Sequence, residues 1–156
     1  MDLYLLVKTV HVISSAILFG TGIGIAFFFF LGFRSGNAAS AYFAAKTTVL
    51  ADMAFTLPAG IVQPLSGFAL IHLAGFDFAE SWLLATYVLY VIALLCWLPV
   101  LRLQWQLREM CRGRLAGEAI DEDLLRRRFR FWFILGWPAF IALIAVFWLM
   151  VSKPIW

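Results

Sequence analysis

A histidine, a lysine and an aspartate stand inside stretches of sequence that are otherwise almost wholly apolar, and each is a group that can do chemistry. His11 follows Lys8 by about one helical turn, and Ser15, Leu18 and Gly22 continue the same helical face at about 100° per residue. A cation, an imidazole and then small side chains, in that order of depth, suit a haem. The imidazole can ligate iron, the ammonium can pair with a propionate near water, and the small residues admit a flat macrocycle. The alternative is a histidine that hydrogen-bonds to a neighbouring helix beneath a lysine that snorkels to the surface. His72 is the other imidazole. As a second axial ligand it should sit roughly 10 Å nearer the surface than His11 by the helix rise. It is named because no better-placed imidazole exists.

A second set of groups lies further along. Asp52, Thr56, Ala59 and Gln63 recur at helical spacing, with Pro58 and Pro64 among them. Prolines inside a helix free carbonyls four residues back and invite a kink. An acidic group beside them can mark a transport path. Asp52 also stands level with Arg34 and Arg102, so a buried polar cluster in which one of these arginines pairs with the carboxylate is expected.

The elements that must carry these groups follow from composition. The chain has 156 residues, 64% hydrophobic and 13% charged, against about 45–50% and about 25% in soluble domains. Too little polar surface remains to coat a water-soluble globule, which excludes a cytosolic enzyme and a nucleic-acid-binding domain. A bilayer core about 30 Å thick takes roughly 20 apolar residues per helix. Four stretches qualify: 3–33, 49–73 with an extension back to 39, 82–103 and 131–151. The Phe27-to-Phe30 run has no two-residue alternation, so a β-barrel is rejected. The expected fold is all-α, a single-domain four-helix bundle integral to the membrane. The first stretch is expected to be a retained span, because it lacks a basic leader and a small-residue cleavage site.

Orientation follows from the loops. Arg34 and Lys46 lie between spans one and two, and eight arginines from Arg102 to Arg130 lie at or between the ends of spans three and four. Asp77 and Glu80 lie between spans two and three. The positive-inside rule then places both termini outside, in a bacterial cytoplasmic (inner) membrane. The long polar segment 104–130 reads as a loop broken by Gly113 and Gly117, with Asp121 capping a helix that leads into span four. Its Arg126-Arg127-Arg128 triplet can meet anionic headgroups. Gly20 and Gly24 form a small-residue pair for helix packing. Cys96 and Cys111 have no metal or redox spacing, and no nucleophile triad, zinc-protease, phosphate-loop or dinucleotide motif is present.

The chain as a whole resembles a family of predicted bacterial integral membrane proteins known only as a domain of unknown function (2269). The resemblance is carried by Tyr4-Leu5-Leu6-Val7-Lys8-Thr9-Val10-His11, Gly20-Thr21-Gly22-Ile23-Gly24 and Asp52. It continues in Gln63-Pro64-Leu65-Ser66-Gly67, Cys96-Trp97-Leu98-Pro99, Gly136-Trp137-Pro138-Ala139-Phe140 and Met150-Val151-Ser152-Lys153-Pro154. It implies a membrane protein and supplies no activity. The first span alone is more distantly similar to the haem-dependent membrane protoporphyrinogen oxidases, through the Lys-x-x-His of Lys8 and His11. That likeness implies His11 as a haem ligand.

These residues support three expectations. The first is a b-type haem held by His11 with Lys8, Ser15, Gly22 and His72 in the outer half of the bundle. It would serve electron transfer or oxidation of a lipophilic substrate such as a porphyrin or quinol. The second is a cofactor-free scaffold that binds another membrane protein or a second copy of itself. The third is a small transporter working through Asp52. Beyond the lipid bilayer no partner is specified, and nucleic acid is not one.

Overall fold

A computed structural model describes residues 2–154. Every regular element in it is helical. α1 (Leu3–Arg34) starts where Asp2 Oδ1 accepts the Tyr4 N–H at 3.0 Å, filling one of the unpaired donors of a helix start. Gly36, at φ 73°, lets the chain turn out of it. α2 (Ala38–Ala51) is capped by Asn37, whose Oδ1 accepts Ser40 N–H at 3.0 Å.

α2 passes through a π-turn, Asp52–Thr56, into α3 (Leu57–Ala74), and the three form one span. The π-turn has a local cause. Pro58 has no N–H, so the α-type bond to Ala54 cannot form. The Leu57 N–H donates to Asp52 O instead, five residues back, and the ladder resumes beyond the proline. Gly75, at φ 72°, ends α3. α4 (Ser81–Leu115) and α5 (Glu122–Ser152) are joined by a short turn at Gly117, φ 76°, and Asp121 caps α5 by accepting Leu124 N–H at 2.9 Å.

Four helical rods are therefore long and apolar enough to cross a membrane: Leu3–Arg34, Ala38–Ala74, Ser81–Leu115 and Glu122–Ser152. The expected loop at 104–130 is mostly helix. α4 has 35 residues, or about 52 Å at the α-helical rise, so it projects well past a hydrocarbon core. Gly113 does not break it. Gly113 is buried in α4, and a Cβ there would stand 2.8 Å from Glu118 Oε2, so the glycine makes room for the returning turn.

α4 and α5 pack along each other as one hairpin, and α1 packs along α2 and α3 as the other. The hairpins join mainly through α2 and α4, at the arginine-rich end. There Phe29, Leu107, Cys111, Leu125, Phe129 and Trp132 share a core with Ala41, Ala44 and Ala45. α1 and α2 approach closely there because Gly32 has no Cβ, which would lie 2.6 Å from Ala44 Cβ and 3.0 Å from Ser40 O. A smaller core of Ile71, Trp82, Leu83 and Leu149 closes the other end. Between these cores the hairpins touch little, because α1 and α5 make few contacts.

Candidate functional site

His11 belongs to a polar cluster that ties α1 to α3. Its Nδ1 lies 2.8 Å from Ser66 Oγ, and Ser66 Oγ in turn donates to Val62 O at 2.6 Å. With that proton committed, the serine oxygen accepts, so Nδ1 carries the imidazole hydrogen and Nε2 the lone pair. Gln63 completes the cluster: Nε2 donates to His11 O at 2.7 Å and to Ser14 Oγ at 2.6 Å. Gly67 gives the ring its seat, since a Cβ there would touch His11 Cε1 at 3.4 Å. This is the cross-helix hydrogen bonding that a membrane interior favours.

The other residues grouped with His11 are not brought to it. The Lys8 side chain is exposed, with Nζ 5.6 Å from the Tyr4 ring centre. Ser15 Oγ donates to Val12 O within its own helix. Gly22 faces Phe140, whose ring lies 3.4 Å from where its Cβ would be. His72 is exposed near the end of α3. His11 lines neither the large cavity between the hairpins nor the small one beside it. The imidazole has the tautomer of an axial ligand. The arrangement around it is a helix interface and not a slot for a macrocycle.

The expected pairing of Asp52 with Arg102 or Arg34 is not formed. Asp52 is 1% exposed and takes part in none of the ion pairs among the described residues. Both arginines are exposed, and Arg34 lies over the Phe30 ring at 5.5 Å. Arg34 is not level with Asp52, since Gly32 faces Ala44 and Gly60 faces Leu18; for Arg102 azimuth decides. Arg102 is two residues from Gln104, about 200° around α4. Gln104 faces inward, so Arg102 faces out, where its guanidinium reaches water. Thr56, Gln104 and Trp97 are instead the side chains beside the carboxylate. No hydrogen bond of ordinary geometry closes the group: Asp52 Oδ1 and Oδ2, Thr56 Oγ1, Trp97 Nε1 and Gln104 Oε1 are all buried without a partner.

The residues that carry these atoms line a cavity of about 720 Å³ between the hairpins. Its lining is overwhelmingly apolar. α1 contributes residues from Leu18 to Phe30, α4 from Tyr90 to Gln104, and α5 from Trp132 to Ile144. Among the described residues, the buried side-chain polar atoms without partners all belong to residues lining this cavity, the Tyr87 hydroxyl excepted. Several lining residues, including Ile61, Leu98, Trp137 and Ile144, are also exposed on the outer surface. The cavity is therefore partly open, with exposed apolar residues of α3, α4 and α5 on its lining.

The prolines shape this wall. Pro64 deprives Gly60 O of its helical donor, and the Tyr90 hydroxyl supplies one from α4 at 2.5 Å. Gln104, Trp97 and Tyr90 are not among the residues that the sequence singles out by charge or imidazole content. The available signal was spacing. Ala93, Trp97, Val100, Gln104, Leu107 and Cys111 recur in steps of three and four, an inward seam on which Gln104 is the one amide.

No curated protein and no solved structure matches the chain, so the first-span likeness to haem-dependent oxidases rests on Lys8 and His11 alone. The family model for predicted integral membrane proteins designated DUF2269 matches residues 5–154. The chain belongs to that family.

Proposed function

We propose that the protein binds a small lipophilic molecule dissolved in the bilayer, which enters the cavity sideways between the two helical hairpins. One observation carries this reading: the residues with unpartnered buried polar atoms, Tyr87 apart, line one apolar-walled cavity. Leaving several such groups unpaired is costly, and a pocket of this size with a few convergent polar groups has the usual form of a small-molecule site. The bilayer supplies both solvent and route for such a ligand. The positive-inside rule places the arginine-rich end in the cytoplasm and both termini outside, in a bacterial inner membrane. Asp52 then lies in the inner half.

The test is native mass spectrometry of the protein released from lipid nanodiscs, wild type against Gly136→Leu. Gly136 lines the cavity and a Cβ there meets nothing within 4 Å, so leucine fills the space without a clash at its root. Wild type is expected to carry an adduct of defined mass that the variant lacks. Identical spectra for the two would defeat the proposal.

A haem reading keeps one observation in its favour. The Nδ1–H of His11 is held by Ser66 Oγ, the kind of outer hydrogen bond that fixes a metal-binding imidazole with Nε2 free. An absorption spectrum of the purified protein and of His11→Ala decides it: a Soret band lost in the variant supports the reading, and an unchanged spectrum ends it.

A further inference from the structure

The polar side chains that line the cavity also bear on the head that a ligand carries. We infer that the occupant bears a primary ammonium on an apolar body; this rests on reading the cavity as a ligand site. Of the unpartnered atoms, Asp52 Oδ1, Asp52 Oδ2 and Gln104 Oε1 accept hydrogen bonds and cannot donate them, while Trp97 Nε1 and Trp132 Nε1 donate only. Thr56 Oγ1 can do either. Asp52 and Gln104 are 1% and 2% exposed, so water outside the bundle does not serve them.

The chain provides no cation for this carboxylate. Arg34, Lys46 and Arg102, the basic residues of the surrounding helices nearest to it in sequence position, are exposed, and none forms an ion pair with it. A buried charge needs a counter-charge and donors together. An ammonium brings one positive charge and three N–H donors with no acceptor, which matches three acceptor atoms. A hydroxyl brings a single donor. A carboxylate or phosphate brings a like charge and is repelled. The indoles of Trp97 and Trp132 line the same cavity, and aromatic faces favour a cation over an anion.

The experiment uses the full chain in phosphatidylcholine nanodiscs and three probes with the same twelve-carbon tail: dodecylamine, dodecanol and dodecanoate. Binding is followed by native mass spectrometry and by the intrinsic tryptophan fluorescence. The amine is expected to bind at least about tenfold more tightly than the alcohol, the factor a charge-assisted hydrogen bond supplies, and the acid to bind least. Asp52→Asn should bring amine and alcohol within about threefold of each other, the level of neutral hydrogen bonds. Gln104→Leu, which keeps the carboxylate, should weaken the amine several-fold and serves if the Asp52 variant does not fold.

Equal binding of amine and alcohol by the wild type, or an amine preference that survives in Asp52→Asn, overturns the ammonium inference while leaving the cavity intact. Failure of every probe to bind saturably, or binding untouched by Gly136→Leu, removes the cavity reading itself. With the preference established, adding phosphatidylethanolamine to the disc identifies the source. Competition with dodecylamine means that a bilayer lipid headgroup supplies the ammonium, and its absence means a free lipophilic amine does.

Discussion

Tyr90→Phe isolates a single hydrogen bond whose reason for existing is written in the backbone. Gly60 O has lost its helical donor to Pro64, and the Tyr90 hydroxyl replaces it at 2.5 Å from a different rod. Removing the hydroxyl leaves a carbonyl on the cavity wall without its donor. An unsatisfied group of this kind costs about 1–3 kcal/mol in proteins generally, whereas side-chain bonds inside membrane proteins average about 0.6 and reach about 1.7 kcal/mol. A loss of about 1–1.5 kcal/mol satisfies both ranges. Pro64→Ala restores a backbone N–H to the same carbonyl. In that background Tyr90→Phe should cost under about 0.5 kcal/mol, a coupling of about 1 kcal/mol and above the scatter of independent sites. The assay is reversible unfolding of the micelle-bound protein by a denaturing detergent, followed by circular dichroism for the four members of the cycle. Additive losses would refute the link between the proline and the tyrosine.

Two alanine substitutions at glycines should have opposite signs in that unfolding assay. Gly32→Ala forces Ala44 and the Ser40 carbonyl away and should cost about 1–3 kcal/mol by overpacking, whereas Gly136→Ala meets nothing within 4 Å and should gain up to about 1 kcal/mol from helix propensity. In ligand-free protein, Asp52→Asn should leave stability unchanged or raise it by up to about 1 kcal/mol, because a buried carboxyl without a counter-charge is replaced by a neutral amide of the same shape; a loss would mean that the carboxylate has a partner within the fold. Asp121→Ala removes the cap on Leu124 N–H and should cost about 1 kcal/mol, read by the same unfolding or as faster hydrogen exchange over the first turn of α5.

The spans and caps were legible because their causes are local. Four long apolar runs, Gly117 and Asp121 each act within a few residues of themselves. The freed carbonyls were legible in kind, since Pro58 and Pro64 can do nothing else, although the π-turn at Asp52 and the donor from Tyr90 were not foreseen. Helix pairing was harder to read. In a bilayer an apolar side chain suits lipid and protein equally, so hydrophobic periodicity does not say which face of α1 meets α3. Depth suggested Asp52 with Arg102 or Arg34, and it holds for α4, where Trp97 and Gln104 lie beside Asp52, but not for Arg34. The missing coordinate was rotation about α4, which the seam through Ala93, Trp97, Val100 and Gln104 records. His11 shows the same limit. Its spacing to Ser15 and Gly22 holds, yet one helical face passes from an interface with α3 at His11 to the cavity wall at Gly22.

Photocrosslinking tests the cavity most directly. An alkyl amine carrying a diazirine on its tail would be activated in nanodiscs holding the full chain, and the labelled residues mapped by peptide mass. The account predicts saturable adducts on the facing walls, near Leu94 to Leu98 of α4 and Gly136 to Phe140 of α5, displaced by excess dodecylamine and lost in Gly136→Leu. Labelling that does not saturate and falls equally on lipid-facing residues such as Phe28 and Phe43 would contradict it.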